Sequence, residues 1–211
     1  MIEPPERLPD RDKAIEAMLP NIPFDGWTTR SLKAGLRDAG MPADEADLLF
    51  PLGIVDMIET FCDLADRRME EAAAALPEMR LPEKVRAVIA LRLEQNRPNK
   101  EAVRRAIAIL SVPRNAKAAA GCTARTVDAI WHAAGDRSAD FAWYTKRAQL
   151  AAIYTATVLY WLRDSSEGDA DTLAFLDRRL ATTAWLHRLR KRFDVMVDKL
   201  PRPRVLRPSA L

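Results

Sequence analysis

Apolar residues along this chain recur at three- and four-residue spacing, and Pro, Gly and short polar runs interrupt the stretches that carry the spacing. A stripe repeating near 3.6 residues is what an amphipathic helix needs to bury one face. The pattern predicts nine or ten helical segments, near 10–19, 28–39, 42–50, 53–76, 82–95, 100–111, 113–133, 140–162, 169–185 and 186–200. Thr28 is placed to cap the second and Gly40 to end it. The long fourth segment sets Ile54, Ile58, Phe61, Leu64 and Ala65 on one face. The segment from 140 sets Leu150, Ile153, Tyr154, Thr157, Val158 and Trp161 on another. Period-two alternation is scarce, so the chain reads as all-α.

Three short helices ahead of a long one, with a Gly-Met-Pro turn between the second and third, form the layout of a helix-turn-helix module. Together with the Phe50-Pro51 pair that opens the long helix, this order resembles TetR-type regulators, in which a three-helix head sits on a larger ligand-binding body. The expected division is a head over 1–52, a helical body over 53–185, and a basic amphipathic helix with a Pro-rich tail over 186–211. The would-be recognition helix reads PADEADLLF. Asp44, Glu45 and Asp47 would meet DNA phosphates with negative charge and no Lys or Arg, whereas phosphate neutralisation supplies most non-specific affinity. The head is therefore expected to be degenerate, with Trp27, Leu32, Leu36, Leu48 and Leu49 as a small core of its own. A ligand-responsive transcriptional repressor is the alternative reading, and the head layout is its support.

Charge does not restore a nucleic-acid role. Residues 186–211 hold eight basic residues against Asp194 and Asp198, a net of +6, which leaves 1–185 at −3 within a whole-chain charge of +3. Cys62 and Cys122 fall inside helical patterns and read as small buried hydrophobes of a reducing compartment, neither redox-active nor metal-binding. Five acids among the first twenty residues are unlike a mitochondrial transit peptide. The longest apolar run, 150–162, falls short of the roughly 18 to 20 residues of a membrane span. His132 and His187 are the only histidines, and no HExxH, paired Glu-x-x-His, GxSxG or Gly-rich phosphate loop occurs. Enzyme chemistry, a resident metal and a cofactor are accordingly not expected.

The stretch from Trp131 to Ser166 carries the sharpest signal, with three Trp and three Tyr beside Asp and Arg. Trp143 lies one heptad before Leu150 and so extends the same core, or else stands with Tyr144 at an exposed helix start as an interface anchor; both readings stay open. The segment DAIWHAAGDRSADFAWYTKRAQLAAIY, followed by the RDSS of Arg163 to Ser166, resembles the coenzyme Q biosynthesis protein nine family, and in particular its bacterial, alphaproteobacterial-type members. The likeness is specific over Asp128 to Ser166 and looser from the Gly26-Trp27-Thr28 of the head to the last helix.

That resemblance implies a TetR-like fold without DNA binding, a hydrophobic pocket for isoprenoid or quinone lipid, homodimerisation, and partnership with the di-iron demethoxyubiquinone hydroxylase. Carried over residue by residue, the hydroxylase patch falls on Asp128, Ile130, Asp140, Trp143, Tyr144 and Arg147. The apolar faces of the long helices offer Met57, Phe61, Leu64, Ile89, Leu93, Ile107, Leu110, Ile153, Tyr154, Val158 and Trp161 as lipid-binding candidates. Ordinary core is the default description of each, because a lipid pocket and a core are walled by the same residue types. The last helix sets Leu186, Leu189, Phe193, Met196, Val197 and Leu200 on one stripe, with Trp185 at its start and Arg190 among the basic residues of the other positions. Such a helix either lies in an anionic membrane surface or packs on the protein; the family resemblance implies the membrane. The expected place is the bacterial cytoplasm, peripheral on the inner membrane.

Overall fold

Where the helices begin and end follows from their proline, glycine and capping residues. The computed structural model describes residues 3–136 and 142–182, which fold as α1 (Pro9–Met18), α2 (Ile22–Asp25), α3 (Thr29–Asp38), α4 (Ala46–Leu49), α5 (Ile54–Ala73), α6 (Leu81–Asn96), α7 (Lys100–Leu110), α8 (Ala116–Ala134), α9 (Ala142–Trp161) and α10 over 170–182. No strand occurs among the described residues. Short 3₁₀ turns lead into α2, α4, α7, α8 and α10.

The Thr28 cap is present, its Oγ1 accepting from the Ser31 N–H at 3.2 Å. Residues 20–25, which fall between the first two expected segments, are helical instead. Pro20 and Pro23 stand in the first positions of a 3₁₀ turn and of α2, where the missing N–H costs nothing and the fixed φ starts a helix. The third segment is shorter than its pattern suggested: Ala43–Glu45 is 3₁₀ and α4 is one turn. Two apolar assignments change as well. Leu48 is 79% and Ile54 39% exposed, since α4 is too short, and Ile54 too close to the start of α5, to turn these side chains inward. Gly35 permits the closest crossing in the head: a Cβ there would lie 2.6 Å from the Met18 backbone nitrogen, so α1 and α3 touch backbone to backbone.

Two clusters of buried apolar side chains form the interior. One joins Ile15, Met18, Trp27, Leu32, Leu36, Phe50, Met57 and Phe61, so the core of the head runs on into α5 and α7. Trp27 secures that continuity, with its Nε1 donating to the Ala102 carbonyl at 2.9 Å and its ring 5.4 Å from that of Phe61. The second cluster holds Met69, Val88, Ile89, Leu93, Val127, Ile130, Leu150, Trp161 and Leu176 from α5, α6, α8, α9 and α10. Helix α5 serves both clusters.

Almost the whole girdle of α5 is covered, and its buried acids meet arginines. Arg11 bonds Asp56 and donates to Thr60 Oγ1 at 2.9 Å. Asp63 accepts from Arg7 at 2.7 Å and from Arg67 at 2.9 Å, while Arg67 reaches Asp12 at 2.7 Å. These pairs fasten α1 and the segment before it to α5.

At the other end of the body, α9 is fixed by its carbonyls. Arg104 donates to the Leu162 carbonyl at 2.6 Å and Lys100 to that of Asp164 at 2.7 Å, satisfying groups a helix C-terminus leaves open. The Asp164 carboxylate accepts from Ser166 N at 2.8 Å, Thr172 N at 2.8 Å and Thr172 Oγ1 at 2.5 Å. Desolvation works against its charge, yet these hydrogen bonds from Thr172 and Ser166 hold Asp164 well below the ordinary carboxylate range. The RDSS segment is thus a clamp joining the end of α9 to the start of α10.

Candidate functional site

Between α5, α6, α7, α8 and α9 the two apolar clusters do not close on each other, and a cavity of about 380 Å³ remains. That volume falls within the range of small-molecule pockets. Seven of the candidate lipid-binding residues line it: Phe61, Leu93, Ile107, Leu110, Tyr154, Val158 and Trp161. Met57 and Leu64 are packed in the first cluster, and Ile89 and Ile153 in the second. Spacing alone could not separate these groups, because the gap arises from how five helices cross.

The wall also holds Arg92 and Thr126, which the sequence does not single out, and the buried Asp66 lies behind them in contact with both. Arg92 is 6% and Asp66 5% exposed. The guanidinium Nε donates to Asp66 Oδ1 at 3.1 Å, and Thr126 Oγ1 donates to Asp66 Oδ2 at 2.9 Å. Burial pushes the Asp66 carboxyl up to about 6 despite the opposing pull of Arg92 and Thr126. The same burial pushes the Tyr154 hydroxyl up to about 12, so it keeps its proton at neutral pH. A legible signal for Arg92 and Asn96 existed: they continue the buried register of Val85, Val88, Ile89 and Leu93 along α6.

Cys62 and Cys122, sixty positions apart in sequence, meet at this wall. Hydrogen bonding to Cys122, together with burial, raises the Cys62 thiol well above its ordinary value. Both are free thiols. Far apart along the chain, the two thiols are neighbours in space.

On the outer face of α8 and α9, Arg147 Nε bonds the Asp128 carboxylate. Tyr144, one turn before Arg147 on α9, is 72% exposed. Ile130 departs from the expected patch. It is fully buried in the second cluster, on the opposite side of α8, and has no surface to offer a partner. Asp140, the Trp143 side chain and the membrane-binding candidates from Trp185 to Leu200 lie outside the described residues. His132 is exposed, with its Nδ1 2.9 Å from Glu70. No helix among the described residues is long and apolar enough to cross a membrane.

Residues 116–187, which span α8, α9 and α10, match the COQ9 family model. The chain is 33% identical over 176 residues to the human ubiquinone biosynthesis protein COQ9, mitochondrial, an alignment covering 80% of this chain and 55% of the relative. The chain belongs to the COQ9 family. It is also similar to the COQ9 proteins of Drosophila melanogaster, at 30% identity with 91% of this chain and 60% of the relative covered, and of Schizosaccharomyces pombe, at 32% with 83% and 70%. The chain spans about half the length of the human COQ9 it matches.

Among solved structures, a TetR transcriptional regulator from Nitrosomonas europaea aligns with a TM-score of 0.68, covering 84% of this chain and 99% of that one at 23% identity. The fold is thus all-α and TetR-like. At that identity the likeness reaches the architecture alone.

Proposed function

We propose that this chain is a non-enzymatic, lipid-binding accessory protein of ubiquinone biosynthesis. The observation that carries the reading is the cavity between the two apolar clusters, in a chain whose relatives bear ubiquinone biosynthesis in their names. An isoprenoid or quinone lipid is its cargo rather than a cofactor. The aliphatic and aromatic wall shelters the lipid from water, and the gain scales with the apolar area covered.

The cargo is handed to the di-iron demethoxyubiquinone hydroxylase through Asp128, Tyr144 and Arg147, joined by Asp140 and Trp143. An exposed aromatic beside an Arg–carboxylate pair supports this part, because aromatics and Arg are the usual anchors of an interface. The segment 185–200 provides peripheral membrane contact, and the protein acts as a homodimer without a DNA partner.

The patch is tested by pull-down with the hydroxylase. Trp143→Lys and Tyr144→Ala are each expected to weaken capture by more than about tenfold, as for hot-spot aromatics, with an unchanged melting temperature. Full capture by both folded variants removes the patch assignment.

A further inference from the structure

A cavity that held only a hydrocarbon tail would need no charge in its wall. Replacing a buried ion pair by apolar groups of similar volume is often neutral or stabilising, so Arg92 and Asp66 contribute little that a leucine pair would not. Arg92 nevertheless lines the cavity, with Asp66 behind it, and a guanidinium placed there rather than in closed core points to a task directed at the cavity's contents.

The donors at this wall are not used up by the protein. Arg92 Nε serves Asp66 at 3.1 Å, and Nη2 lies 3.1 Å from Asp66 Oδ1 and 3.4 Å from the Cys62 carbonyl. Nη1 has no hydrogen-bond partner among the described residues and is not one of the sealed, unsatisfied atoms of the interior. A guanidinium carries five N–H donors in a fixed fork, so an accepting oxygen in front of Nη1 would find it already oriented. The Tyr154 hydroxyl, close enough to Arg92 and Asp66 to sense both charges, likewise makes no hydrogen bond among the described residues.

Net charge selects the oxygen. Asp66 offsets Arg92, and Thr126 holds Asp66 in place, so the wall presents donors without net charge. A phosphate brought here would leave one or two negative charges uncompensated in a largely apolar space, which is costly. A carbonyl or hydroxyl oxygen on an otherwise apolar ring imposes no such penalty.

We propose that Arg92 and Tyr154, with Asp66 and Thr126 as positioning residues, form the head-group end of the cavity and take a neutral, oxygen-bearing ring of an amphiphile. The tail then runs along Val103, Ile107 and Leu110 of α7. The inference rests on the lipid-cavity reading above and adds which end of the ligand is recognised, and by which atoms.

Quenching of tryptophan fluorescence on the purified full chain tests it, with three probes: 2-decyl-1,4-benzoquinone, dodecylbenzene and monododecyl phosphate. Dodecylbenzene and monododecyl phosphate, neither of which is a quencher, are read by displacement of the quinone. The wild type is expected to bind the quinone about tenfold more tightly than the other two, the size expected of one or two well-made hydrogen bonds. Tyr154→Phe, and separately the double variant Arg92→Met with Asp66→Leu, are expected to reduce that preference to below about threefold and to leave dodecylbenzene affinity unchanged. If the double variant does not fold, Tyr154→Phe alone decides. A preference that survives in the folded variants overturns the head-group assignment and leaves the cavity reading standing. Tighter binding of the alkyl phosphate overturns the choice of a neutral head. Failure of the wild type to bind any of the three overturns the cavity reading, and this inference with it.

Discussion

Asp56→Ala is expected to lower unfolding free energy by about 3–5 kcal/mol, the cost of leaving a buried charge without its partner. Arg11, 3% exposed and stacked 4.7 Å from the Phe50 ring, would keep its charge and a longer, solvent-exposed contact with Glu6 at 3.6 Å, but lose the buried carboxylate that offsets it. Urea denaturation measures the loss as a lower midpoint at constant slope. The pair is itself under-satisfied, since Arg11 Nε and Asp56 Oδ2 have no further partner in the interior. Pairing Arg11→Met with Asp56→Leu should therefore recover most of the stability. A single-variant loss under about 1 kcal/mol would mean that water reaches Arg11 and that α1 is not fastened to α5 as described.

Ala119→Phe is expected to abolish lipid retention while leaving the fold intact. Ala119 lines the cavity from α8 and is only partly buried, so the ring enters empty space instead of displacing packed core. Filling a void restores contacts the wall lacks, and the melting temperature should hold or rise. Lipid extracted per mole of protein should fall at least about tenfold, more than the loss of any single polar contact would cause. Undiminished lipid in the folded variant would place the ligand elsewhere.

The 3.6-residue rhythm placed α5 and α9 correctly, and Thr28 and Gly40 announced the ends of α3, because local backbone chemistry determines these features. Pro20 and Pro23 misled, since proline breaks a helix interior yet starts a helix, and only the fold shows which position it occupies.

The site was legible in part for a different reason. Phe61, Leu93, Ile107 and Trp161 line the cavity while Ile89 and Ile153 are core, although all follow the same periodicity. The distinction depends on interhelical gaps, which no single helix encodes. Ile130 shows the converse, where a position carried over by resemblance turned out to face inward. Arg92 and Asn96, polar residues inside an apolar register, were the overlooked local sign that one helix faced something other than hydrocarbon side chains.

Whether a lipid occupies the cavity is tested most directly by native mass spectrometry of the purified full chain with solvent extraction of the bound material. The expected spectrum shows the chain carrying a discrete added mass, the extract contains an isoprenoid or quinone lipid, and both disappear in Ala119→Phe. A wild-type chain that remains bare after incubation with 2-decyl-1,4-benzoquinone and with membrane lipid extract would contradict lipid occupancy of the cavity.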